Sequence, residues 1–133
     1  CRLERWQGAW KMTEKKLSAM IGNDFAIVDS TGVGDPVVET LQQTCENVQG
    51  FNFSSRSKQQ IMEGLAIAIQ SAEITFPDGW LRTELEAFEF TYTRTGVRYE
   101  APSGSHDDGV CALALAVHGK TTASSRAFSY RVL

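Results

Sequence analysis

The stretch from Phe25 to Pro36 constrains the fold of this chain more than any other part of it. Phe25-Ala26-Ile27-Val28 is a short apolar run, Asp29 closes it, and Ser30-Thr31-Gly32-Val33-Gly34-Asp35 is a glycine turn. Pro36 follows at the first position of a helix, where a missing N–H costs nothing. The spacing predicts a buried strand that turns sharply into a helix from Pro36 to about Glu46, with Val37, Val38, Leu41 and Cys45 on its inner face. Such a unit belongs to α/β architecture.

The remaining pattern repeats the alternation. Arg2 to Trp6 reads as a short strand, and Trp10 to Ile21 as a helix with Trp10, Leu17, Met20 and Ile21 at helical spacing. Val48 to Phe53 is a second strand of the same kind. Ser57 is a candidate N-cap for a helix whose inner residues are Ile61, Met62, Leu65, Ala66 and Ile69. Ile74 to Phe76 is extended, and Trp80 to Glu86 makes about two turns of helix. Phe88 to Thr93 and Val97 to Tyr99 flank Arg94-Thr95-Gly96 as a hairpin. From Asp107 to His118 the sequence is apolar enough to predict a largely buried helix. With no repeat or linker in view, residues 1–133 read as one domain with a mixed sheet.

Composition excludes several classes of function. Hydrophobic content of 42% and charged content of 22% are those of an ordinary globular protein, and no apolar run approaches the roughly 20 residues of a membrane span. No signal-peptide core opens the chain, so the expectation is a soluble, intracellular protein. Cys1, Cys45 and Cys111 are odd in number and far apart, which leaves neither a disulfide framework nor a zinc motif; Cys45 and Cys111 read as small buried hydrophobes. A net charge of −3 argues against binding nucleic acid over the whole surface, but not against local contacts such as Arg56 and Lys58 in a serine-rich turn.

Three acids carry the candidate chemistry. Asp29 stands at a strand end, and Asp107-Asp108 stand at a helix start. Carboxylates gathered without cysteine or histidine clusters suit Mg²⁺ or Mn²⁺. Each has a purely structural alternative: Asp29 can bond the turn that follows it, and acids in a first helical turn are favoured by the macrodipole. His106 is a ligand, an orienting group or a loop histidine, and His118 a favourable charge at a helix C-terminus. The Gly32-Val33-Gly34 turn lacks the spacing of a phosphate loop, and no G-x-S-x-G elbow is present.

Taken in order, several segments resemble one known family. They are Phe25 to Glu39 with its D-S-T-G-V-G-D turn, Gly50-Phe51-Asn52-Phe53-Ser54, Ser57-Lys58, Glu84-Leu85-Glu86, Tyr99-Glu100-Ala101-Pro102 and His106-Asp107-Asp108. They resemble the C-terminal nuclease domain of the large terminase subunit of tailed bacteriophages. The resemblance implies a ribonuclease H-like fold and a metal-dependent endonuclease that cuts concatemeric viral DNA during packaging. It implies Asp29 as the second catalytic acid, and Asp108, helped by Asp107, as the third, all holding Mg²⁺ or Mn²⁺ in a two-metal site. Arg56, Ser57, Lys58 and His106 become candidate contacts to double-stranded DNA. The implied partners are the terminase ATPase domain, the portal and the small terminase subunit, and the implied location is the cytoplasm of a bacterial host.

The family carries its first catalytic acid on a strand upstream of the one Arg2 to Trp6 resembles, so the sequence reads as an N-terminally truncated fragment with little nuclease activity of its own. Two alternatives remain at this level. One is a non-catalytic nucleic-acid-binding or assembly module of the same fold; the other is a different ribonuclease H-like nuclease, such as a Holliday-junction resolvase.

Overall fold

The computed structural model describes residues 4–32, 35–94, 96–103 and 106–129. In chain order these form α1 (Trp10–Ile21), β1 (Ala26–Asp29), α2 (Asp35–Gln42), β2 (Val48–Phe51), α3 (Ser55–Gln70), α4 (Trp80–Ala87), β3 (Glu89–Thr93), β4 (Gly96–Glu100) and α5 (Asp108–Ser129). Two compact units divide the described residues: 4–53 with 122–129, and 54–121.

Within the Glu4–Phe53 unit, β1 and β2 pair in parallel, Ala26 opposite Val48 and Asp29 opposite Phe51. The parallel pairing follows from the helix between them, which returns the chain to the start of the pair. Val38, Leu41, Cys45 and Val48 are buried together, with Leu17, Ile21, Ala26, Val28 and Val37 packed against them. This is the apolar face expected of α2, though Cys45 lies beyond the helix rather than on it. The helix stops at Gln42 instead of Glu46: Cys45 N and Thr44 Oγ1 both donate to the Leu41 carbonyl (2.8 and 3.2 Å), and Gln42 Nε2 donates to the Val48 carbonyl of β2 (2.9 Å). α1 spans the expected residues, but Trp10 and Met20 are half exposed and only Leu17 and Ile21 serve the core. Glu4 to Trp6 form no strand. They lie beside α1 through a Glu4–Lys16 ion pair of 2.9 Å, with the Lys16 ammonium 4.1 Å from the Trp6 ring centre. Cys1 and the other residues of 1–3 fall outside the described residues.

Within the Ser54–Thr121 unit, β3 and β4 form the expected antiparallel hairpin, Glu89 opposite Glu100 and Tyr92 opposite Val97. β4 lies against α3. The buried stripe of α3 is Ile61, Met62, Leu65 and Ala68, so Ala66 and Ile69 of the expected face point outward. α5 buries Val110, Leu113, Ala114 and Leu115 and leaves Ala112 and Ala116 exposed; it is one-sided rather than buried all round. It also runs eleven residues past the expected end at His118, since Gly119 is accommodated inside the helix. His118 is therefore no C-terminal charge: it lines a cleft of about 310 Å³ with residues of α3, among them Ile61 and Gly64. Cys111 is partly buried.

Both strand polarities of the expected mixed arrangement are thus present, as one parallel and one antiparallel pair among the described residues. No helix of the described residues is long and apolar enough to cross a membrane.

Candidate metal centre at the start of α5

Two elements of the Ser54–Thr121 unit, α3 and α4, converge on the start of α5. The start of α3 is fixed by a capping box in which Ser54 Oγ accepts from Ser57 N (3.1 Å) and Ser57 Oγ accepts from Ser54 N (2.8 Å). The N-cap is therefore Ser54, and Ser57, expected there, is the reciprocal partner three residues on. Ser57 spends its hydroxyl on this box. The arrangement places Lys58 in the first turn of α3 with its ammonium 3.0 Å from Asp107 Oδ2. Both side chains are about one-quarter exposed, at 24% and 28%. The same ammonium lies 5.9 Å from the centre of the Phe88 ring, which is stacked on Tyr99 at 6.5 Å and 20°.

α4 supplies the second support. Glu84 Oε2 accepts the backbone N–H of Gly109 at 2.9 Å, so a carboxylate from another helix satisfies one of the unpaired donors at the start of α5. Asp107 itself occupies the cap position, its carbonyl accepting from Cys111 N at 2.9 Å, while its side chain turns to Lys58. Asp108 opens the helix, is exposed, and is favoured there by the macrodipole. His106 is exposed just before the acidic pair, and Arg56 is exposed in the first turn of α3.

Asp29 belongs to the Glu4–Phe53 unit. It ends β1, is exposed, and accepts the Thr31 backbone N–H on Oδ1 at 2.8 Å, the turn-closing bond open to an aspartate at this place. The turn is pinned twice more, by Ser30 N to the Phe51 carbonyl and by Phe53 N to Thr31 Oγ1, both 2.9 Å. Gly32 has φ 75°, a left-handed conformation that side chains disfavour, which accounts for the first glycine of the turn. Val33 and Gly34 lie outside the described residues.

Among the described residues, no three histidine, cysteine, aspartate or glutamate side chains gather closely enough to form a cluster for an ion. The fit of a divalent cation is tested by what the acids already do. Asp107 Oδ2 holds a positive charge at 3.0 Å, and carboxylate oxygen is the donor type that Mg²⁺ and Mn²⁺ prefer. The donor type fits such an ion, although fewer than three such side chains gather there among the described residues.

Comparison with known proteins identifies the fold. The family model described as "Terminase RNaseH-like domain" matches residues 9–120, and the chain belongs to that family. The large terminase subunits of Thermus phage G20c and Thermus virus P23-45 are each 32% identical over 126 residues, covering 86% of this chain and 25% of theirs. The chain thus spans about a quarter of the length of these curated relatives. Among solved structures, the large terminase nuclease of thermophilic phage G20c with bound cobalt superposes with a TM-score of 0.73 at 29% identity, over 84% of this chain and 62% of that one. The same nuclease with bound magnesium gives 0.72 at 29%, with the same coverage. The Thermus phage P74-26 large terminase nuclease domain gives 0.70 at 27%, over 84% and 61%. The fold is ribonuclease H-like, and by homology the chain is a phage terminase nuclease domain.

Proposed function

We propose that this chain is part of a nuclease that hydrolyses phosphodiester bonds in double-stranded DNA with Mg²⁺ or Mn²⁺, and that the cutting serves the packaging of concatemeric phage DNA. The observation that carries the reading is the acidic pair at the start of α5, one member held by Lys58 and the helix start itself held by Glu84. Carboxylates on a helix start with two independent supports are preorganised, which is what ligation of a hard cation requires. Asp107 and Asp108 are the proposed ligands here. Asp29 enters through its match to the family's turn motif, as does the two-metal arrangement. The bound relatives support a divalent metal: the G20c nuclease has been solved with magnesium and with cobalt.

When bound, such ions activate water and stabilise the leaving oxygen. The chain's own contribution is to hold the acids oriented, and to offer cations to the phosphates. Arg56, exposed in the first turn of α3, serves the second purpose, and the N–H groups of that turn add a field favourable to phosphate. Lys58 serves it when released from Asp107, and His106 is a further contact beside the acids. Ser57, also proposed at this surface, acts by fixing the α3 start. One domain embracing residues 1–133 is supported by a family match that runs from 9 to 120. The ATPase domain, portal and small subunit remain the proposed partners by family.

The experiment is cleavage of plasmid DNA with Mn²⁺, using the polypeptide as its gene encodes it. Cutting that disappears in Asp108→Asn, with an unchanged circular dichroism spectrum, supports the proposal. Cutting that survives substitution of all three acids refutes it, and DNA binding with no cutting under any metal favours the non-catalytic alternative.

A further inference from the structure

Lys58 stands at an unfavourable place for a cation. It is in the first turn of α3, where the helix macrodipole carries partial positive charge. What compensates is the Asp107 carboxylate, 3.0 Å away. Asp107 is unusual in the complementary sense. An aspartate at a helix cap commonly turns its side chain back onto the N–H groups of its own first turn, but here Glu84 takes the Gly109 N–H and the Asp107 oxygen faces the ammonium. Glu84 thereby frees the Asp107 oxygen for a cation, and Lys58 is the cation that occupies it.

We infer that the Lys58 ammonium is a built-in counter-cation which competes with the divalent ion for Asp107 Oδ2. This inference rests on the proposed metal site. A divalent ion bonds carboxylate oxygen at about 2.0 to 2.6 Å, and two positive centres sharing one oxygen at such distances repel strongly. Loading the ion therefore requires Lys58 to swing off Asp107. Its long stem makes that movement easy, and the partly exposed surroundings give it water or a phosphate oxygen to turn to. In the unloaded chain the same ion pair holds Asp107 and its helix start in place, so the competition lowers metal affinity without disordering the site. Lys58 is thus a positioning residue that also sets the metal concentration at which the site fills.

The test is titration of the full chain with Mn²⁺, followed by calorimetry or by the electron paramagnetic resonance of free Mn²⁺. Lys58→Met keeps the stem beside Phe88 and removes the charge; it should bind Mn²⁺ about tenfold more tightly than wild type, the equivalent of about 1.4 kcal/mol. Lys58→Arg keeps a cation near Asp107 and should stay close to wild type, which separates charge from packing. In the Asp107→Asn background, Lys58→Met should change nothing, because the contested oxygen has lost its charge. Equal or weaker Mn²⁺ binding by Lys58→Met, with its fold intact, overturns the inference while leaving the metal site standing. Failure of both wild type and Lys58→Met to bind Mn²⁺ at millimolar concentration removes the metal site and the inference with it.

Discussion

Glu84 on α4 holds the backbone N–H of Gly109 on α5, an oxygen-to-nitrogen distance of 2.9 Å across 25 residues of sequence. The contact is possible because residue 109 has no side chain. A Cβ there would clash with Trp80 Cζ3 and lie 2.7 Å from Glu84 Oε2 and 3.0 Å from Leu81 Cδ1. Leu81 is fully buried, so the α4 side of the contact has little room to give.

Gly109→Ala should therefore destabilise the chain by about 1–3 kcal/mol, the usual result of overpacking, despite alanine's better helix propensity. Urea denaturation measures it. Unchanged or raised stability would mean that α4 and α5 do not pack as closely as described.

Asp29→Asn, Asp107→Asn and Asp108→Asn should each reduce DNA cleavage by about 100-fold or more in the encoded polypeptide, since a lost metal ligand removes several kcal/mol of transition-state stabilisation. Melting temperature should move little for Asp29→Asn and Asp108→Asn, and fall for Asp107→Asn, which alone loses an ion-pair partner for Lys58. Single-turnover cutting and calorimetry on the same three variants distinguish the two effects.

Lys58→Ala should weaken DNA binding about equally for all sequences in the presence of metal, and reduce the salt slope of log K by roughly one unit. Arg56→Ala should do the same with less effect on stability, because Arg56 is exposed and Lys58 is tied to Asp107. Fluorescence anisotropy over a range of salt concentrations reads both; an unchanged slope would assign these charges to solvent.

Ser54→Ala should cost about 1 kcal/mol of stability through loss of the α3 cap. Ser57→Ala should cost less, because it removes the reciprocal bond and leaves the Ser54 oxygen in place. Equal effects, or a larger one for Ser57, would contradict the capping box.

Local pattern predicted the elements well where the chain's own neighbours decide them. The boundaries of α1, the polarity change from the parallel pair to the hairpin, and the inner face of α2 follow from periodicity and turn chemistry. Errors arose where distant groups decide. Ser57 looked like the cap because it precedes an apolar stripe, yet Ser54 and Ser57 share the work, and either spacing suits a serine. The apolar run points to His118 as the end of α5, but the helix continues through a buried Gly119, which bears no mark in the sequence. The acids were legible as a pair and as a strand end. Their supports were not: Lys58 and Asp107 are 49 residues apart, and Glu84 meets a backbone N–H, a partner with no residue type to signal it. Lys58 stood out as a basic residue beside Arg56, whereas the pointer to Glu84 was its place in the family's string of motifs.

The turn after β1 holds Asp29 by one carboxylate oxygen, and that bond asks for an acceptor, not for a charge. An asparagine amide oxygen accepts from Thr31 N equally well, and the bonds from Ser30 and Phe53 are untouched by the exchange. Folding therefore exerts no selection in favour of the acid at this position. A lineage that ceased to need the acid could drift to asparagine there in one step, remaining well folded, abundant and invisible to any screen that reads only stability. Among relatives, residue 29 would then distinguish working copies from retired ones more sharply than any residue of the core.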